Sequence, residues 1–113
     1  MADPTPSRTW LTMPELVDLL GLTPSRIRRL IEDKHLLATR RDGVISVPAD
    51  FLVGGAPLPE LRGTLMVLAD AGFSDDEAMD WLLSVDDALG VAPIDALRSG
   101  RKTEVRRVAQ ALA

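Results

Sequence analysis

Cysteine is absent from the 113-residue chain. Disulfides and cysteine-based zinc sites are therefore excluded. Histidine is almost as scarce. His35 stands alone, with no partner ligand at a suitable spacing, so it reads as a helix-end residue favourable to the dipole and not as a metal ligand. No apolar run approaches the roughly 20 residues of a membrane span. The opening MADPTPSRTW lacks the apolar core of a secretory signal, so a cytoplasmic protein is expected. Gly54-Gly55 is not followed by the Gly-Lys-Ser/Thr of a phosphate-cradling loop. No serine is matched to a histidine and an acid in a recognisable motif. Repeats and low-complexity segments are also missing. Neither an enzyme nor a cofactor protein is expected.

Positive charge is scarce overall, with a formal net charge of −4, but it is segregated. Arg26, Arg28, Arg29, Lys34, Arg40 and Arg41 fall within one stretch of 16 residues that holds only two acids, Glu32 and Asp33. Residues 49–100 carry ten acids against Arg62 and Arg98. Residues 101–113 are basic again. A basic patch on an acidic body can meet a polyanion through one face while the body repels it elsewhere.

The basic stretch lies inside a patterned region. Thr12-Met13-Pro14-Glu15 is a capping box with proline in the first turn, where its missing donor costs nothing. Leu11 and Leu16 take the two staple positions. Leu16, Val17, Leu19 and Leu20 form an apolar face, and Gly21 ends the helix. Thr23-Pro24 starts a second helix, with Ile27, Leu30 and Ile31 inward. At 100° per residue Ser25, Arg29 and Glu32 point most directly outward, flanked by Arg26 and Arg28. The bland alternative for these charges is a solvated face with Arg28–Glu32 and Arg29–Asp33 ion pairs. Asp42-Gly43, between two alternating runs, predicts a hairpin with Arg40 and Arg41 at its tip. Two capped helices, a tight turn and a hairpin are the parts of a winged helix-turn-helix, with the five arginines expected to converge on one face.

Residues 1–10 read as a flexible tail, in which Thr5, Ser7 and Thr9 are possible phosphate acceptors and Thr5 and Thr9 the main candidates. Residues 11–53 form the winged unit. Pro48 opens a short turn carrying Phe51 and Leu52, and Gly54 to Pro57 break the chain. Residues 58–113 read as a helical subdomain packed on the winged unit. It begins with a long helix whose stripe is Leu61, Leu65, Leu68 and Ala69. Ser74-Asp75-Asp76-Glu77 caps the next helix, with Ala78, Met79, Trp81, Leu82 and Leu83 inward; its acids suit the dipole and need no metal. A short helix follows Pro93. The last helix has a Val105, Val108, Ala109, Leu112 stripe, and cations at its start that call for an acidic partner, expected from the chain's own middle. The fold class is mainly α: a winged helix-turn-helix with a small β-hairpin wing, followed by a C-terminal helical bundle.

The segments PELVDLLGL, LLATRRDGVISVP, LPELRGTLMVLADAGFSDDEAMDWLL and PIDALRSGRKTEVRRVAQALA resemble a family of small actinobacterial winged-helix DNA-binding proteins that are substrates of a membrane Ser/Thr protein kinase. The first half alone also resembles excisionase and MerR-type modules. The last ~55 residues are distantly similar to toxin-binding domains of antitoxins. The resemblance implies a cytoplasmic DNA-binding phosphoprotein, acting in transcription regulation or on the nucleoid, with a Ser/Thr kinase as partner and a phosphorylatable tail. The expected contacts to double-stranded DNA are Thr23, Ser25, Arg26, Arg28, Arg29, Lys34, Arg40 and Arg41. The alternative is a protein-interaction or dimerisation module using the C-terminal helices; a homodimer would set two recognition helices on one duplex.

Overall fold

The computed structural model of the chain describes residues 8–112. Both capped helices form where their signals lie. Helix α1 spans Met13–Leu20. Its Glu15 carboxylate accepts from the Thr12 backbone N–H at 3.0 Å and from the Thr12 hydroxyl at 2.9 Å. Gly21 closes it at φ 68°, a backbone state open to glycine at little cost. Helix α2 spans Pro24–Glu32, and the Thr23 hydroxyl accepts from the Arg26 N–H at 3.3 Å.

A three-stranded antiparallel sheet of order β1-β3-β2 adjoins these helices. The expected hairpin supplies β2 (Thr39–Arg41) and β3 (Val44–Pro48), joined by the two residues Asp42 and Gly43. Both have positive φ, 53° and 79°, as the tight turn with twist-matched strands requires. Strand β1 (Trp10–Thr12) was not expected. It pairs with the far edge of β3, Leu11 opposite Val47, and the Ala49 N–H donates to the Thr9 carbonyl at 2.8 Å. The flexible-tail reading therefore fails for residues 8–10. Thr5 and Ser7 lie outside the described residues.

After a 3-10 turn at Ala49–Phe51, a second small hairpin joins β4 (Leu52–Val53) to β5 (Ala56–Pro57) through Gly54-Gly55. The region read as a chain break is thus tightly folded. Four helices follow: α3 (Leu61–Asp70), α4 (Asp75–Leu83), α5 (Pro93–Arg98) and α6 (Lys102–Ala111). The Ser74 capping box forms with both reciprocal bonds, at 2.9 and 3.2 Å. In α3 the buried face is Leu61, Thr64, Leu65 and Leu68, so Thr64 and not Ala69 completes the stripe. The Thr64 hydroxyl donates to the Glu60 carbonyl at 3.4 Å, which allows its burial. In α4 the fully inward residues are Ala78, Met79 and Leu82. Trp81 is half-buried, its indole N–H on the Asp86 carboxylate at 3.2 Å. In α6 Val105 and Ala109 are buried while Leu112 is exposed.

One apolar core runs through both halves. Leu16, Ile27, Val47 and Phe51 join Leu61, Leu68, Leu82, Ile94, Leu97 and Val105, all nearly or fully inaccessible. Each such side chain contributes about 1.5–3 kcal/mol on burial, more than any single cap. Among the described residues, no helix is long and apolar enough to cross a membrane.

Candidate nucleic-acid interface

Helix α2 holds the site. Its inward side is anchored by Ile27, fully buried, with Leu30 and Ile31 half-buried. That anchoring turns Ser25, Arg26, Arg28 and Arg29 out to solvent, all four exposed. Thr23 at the N-cap is exposed as well. No carboxylate lies within 4.0 Å of Arg26, Arg28, Arg29, Arg40 or Arg41 among the described residues. The ion pairs Arg28–Glu32 and Arg29–Asp33 of a simple solvated face do not form. Unpaired guanidinium groups on the second helix of such a fold carry their full charge and all their donors outward.

The C-terminal end of α2 is closed by an unusual residue. The His35 N–H donates to the Leu30 carbonyl at 2.8 Å and the Lys34 N–H to the Ile31 carbonyl at 3.1 Å. This is the Schellman pattern, with Lys34 at φ 64° in the position usually given to glycine. Lys34 consequently leaves the outward face of α2. Its ammonium pairs with Asp75 of α4 at 3.9 Å, so it is not placed with the arginines. His35 acts through its backbone at this cap, and it borders a shallow concavity with Leu22, Arg26 and Arg29.

The wing divides its two arginines. Successive residues of a strand point to opposite faces of a sheet. Arg40 shares a concavity with Arg28, Ile31, Glu32 and Ile45, on the side of α2. Arg41 lies on the other face, its guanidinium carbon 4.3 Å from the centroid of the Trp10 ring. That face turns toward α4, where the Thr39 hydroxyl meets Asp76 at 3.0 Å and Asp80 lies nearby. The five arginines do not converge on a single spot. Arg28 and Arg40 line the cleft between helix and wing, Arg26 and Arg29 occupy the opposite flank of α2, and Arg41 stands beside Asp76 and Asp80, which Arg40 also borders from the wing. Trp10, the platform under Arg41, was assigned to the tail; a tryptophan directly before a capping box was the available signal, since so large an aromatic surface is seldom left in solvent.

Of the cations at the start of α6, Arg101 takes its acid from α6 itself and not from the acidic middle of the chain. Arg101 pairs with Glu104 of the same helix at 2.7 Å and donates to the Leu89 carbonyl at 3.1 Å. No cluster of histidine and acidic side chains able to hold a metal ion occurs among the described residues.

These elements define a winged helix-turn-helix protein with a fused helical unit. Family comparison agrees. Residues 4–52 match the family described as DNA-binding protein Rv2175c, wHTH domain, and residues 58–113 match the Rv2175c C-terminal domain of unknown function. The chain is 32% identical to DNA-binding protein Rv2175c of Mycobacterium tuberculosis, over 96% of its own length and 83% of that protein's. The NMR structure of Rv2175c has the same fold, with a TM-score of 0.86 over all of this chain and 85% of that one. The chain belongs to the Rv2175c family, and the winged-helix resemblance carried by its sequence segments holds.

Proposed function

We propose that the protein binds double-stranded DNA, with the first two turns of α2 in the major groove and Arg40 of the wing on the adjacent backbone. The observation that carries this reading is the set of three exposed arginines on α2, none held by a carboxylate. Arginine's planar fork can pair with guanine O6 and N7 together. The family relative described as a DNA-binding protein supports it. A transcriptional or nucleoid role is the natural use of such a module. Ser25 and Thr23, at the N-terminal end of α2, suit phosphate contacts. Arg41 belongs to the site only at its margin, and Lys34 outside it.

Arg29→Glu is expected to abolish binding in fluorescence anisotropy while circular dichroism stays unchanged, because the Arg29 side chain is exposed and makes no hydrogen bond or ion pair among the described residues. Unchanged affinity in that folded variant would overturn the proposal. Thr9 is exposed and remains the described candidate for a kinase, its phosphate set to compete with DNA for the basic surface.

A further inference from the structure

The C-terminal unit brings one arginine to the end of α2 and seats a second against the next residue of α3. Arg62, the second residue of α3, donates its Nε to the carbonyl of Asp33, the C-cap of α2, at 2.9 Å. Its Nη groups make no hydrogen bond among the described residues, and the residue is exposed. Gly63 follows. Against its Cα lies Nη2 of Arg106 from α6, in the space that any side chain at position 63 would fill. The Arg106 Nε is buried with no hydrogen-bond partner. Neither arginine has a carboxylate within 4.0 Å among the described residues.

One guanidinium reaching from residue 62 and another lying on residue 63, neither paired with a carboxylate side chain, leave N–H donors available to an anion. Of the acids of α4, Asp75 is engaged with Lys34, one residue beyond Asp33, and Asp76 with Thr39 of the wing. Helix α2 has nine residues and is therefore about 13 Å long. The major groove is about 12 Å wide. A helix crossing that groove brings its C-terminal end to the sugar-phosphate wall, and Arg62 is hydrogen-bonded to that end.

We propose that Arg62 and Arg106 form a second phosphate contact, by which the C-terminal unit grips the DNA backbone flanking the groove that takes α2. This rests on the DNA-binding reading above. It gives the C-terminal unit a share in the affinity and leaves base selection to α2.

The test is a salt titration of binding, by anisotropy, on a duplex extending half a helical turn beyond α2 on each side. Four proteins are compared: wild type, Arg62→Ala, Gly63→Ala and Arg28→Ala. Gly63→Ala keeps every charge and favours the helix, but pushes the Arg106 guanidinium from its seat. Loss of one phosphate contact lowers the magnitude of the log–log salt slope by about one, which is roughly an eightfold loss of affinity at 0.1 M salt. Such a loss is expected for Arg62→Ala and for Gly63→Ala, with thermal melting showing both folded. If both keep the wild-type slope while Arg28→Ala weakens binding, the second contact is refuted and the helix-turn-helix reading stands. If the wild type itself shows no salt-dependent binding, both readings fall.

Discussion

Lys34 shows how one residue can carry a conflict. Its left-handed backbone costs roughly 1–2 kcal/mol for a side chain with a Cβ. Its ion pair with Asp75, between exposed groups at 3.9 Å, returns at most about 0.5 kcal/mol. Glycine would relieve the strain but adds about 0.5–1 kcal/mol of unfolded-chain freedom. The balance favours glycine, so Lys34→Gly is expected to raise stability by about 0.5 kcal/mol and the melting midpoint by roughly 2–4 °C. A lower midpoint in thermal denaturation would contradict this. A lower salt slope for DNA binding in the same variant would restore Lys34 to the interface. The charge of Lys34 was legible in the sequence, but its direction was not. No glycine marks the end of α2, so nothing local announced that the chain turns left-handed there.

At the scale of elements, what was legible is what local chemistry decides. Thr12, Thr23 and Ser74 cap their helices because each hydroxyl or acid partner lies three residues away. Asp42-Gly43 turns because its two positive φ angles suit those residues. Strand β1 was hidden for the opposite reason: three residues make no periodic pattern, and its pairing with β3 is fixed some 36 residues further along. Helix α3 begins later than expected because Glu60, its N-cap, provides no side-chain bond to mark the start. The caps also set an acid response. Backbone N–H donation from Thr12 holds the Glu15 pKa below the ordinary carboxylate value, and Ser74 does the same for Glu77. A depressed folded pKa stabilises above the unfolded value and is lost as pH falls through the folded one. Stability should therefore decline as pH drops below about 4–5, and the Glu15→Gln, Glu77→Gln double variant should show a shallower decline. Parallel acid limbs in denaturant melts would exclude that role for the caps.

At the scale of the molecule, the winged helix-turn-helix and the helices after it were legible as elements, yet the clasp between them was not. Arg8 is almost fully buried, its side chain only 8% accessible, and bridges Asp50 beside the sheet to Asp95 on α5, each at 3.0 Å. The hydrogen bond to Asp95, then that to Asp50, outweigh burial and raise the guanidinium pKa further above its usual value. Partners 42 and 87 residues away leave no trace in a local pattern. Removing Arg8 strands two acids, but both keep partial access to water and can rehydrate. Arg8→Ala should therefore cost about 1–3 kcal/mol, less than for a wholly buried pair. A loss under a few tenths of a kcal/mol in urea unfolding would show that the clasp is incidental.

The connection between the two units has its own fastening. Arg98 of α5 donates to the carbonyls of Asp50 and Leu52, at 2.9 and 2.6 Å, and the Leu58 N–H returns to the Phe51 carbonyl at 2.8 Å. A joint tied in this way is no hinge. The angle between α2 and the C-terminal helices is set when the chain folds, so a surface spanning both meets its partner already aligned. The entropy of arranging two tethered modules on one target is then lost during folding and not again at the moment of contact.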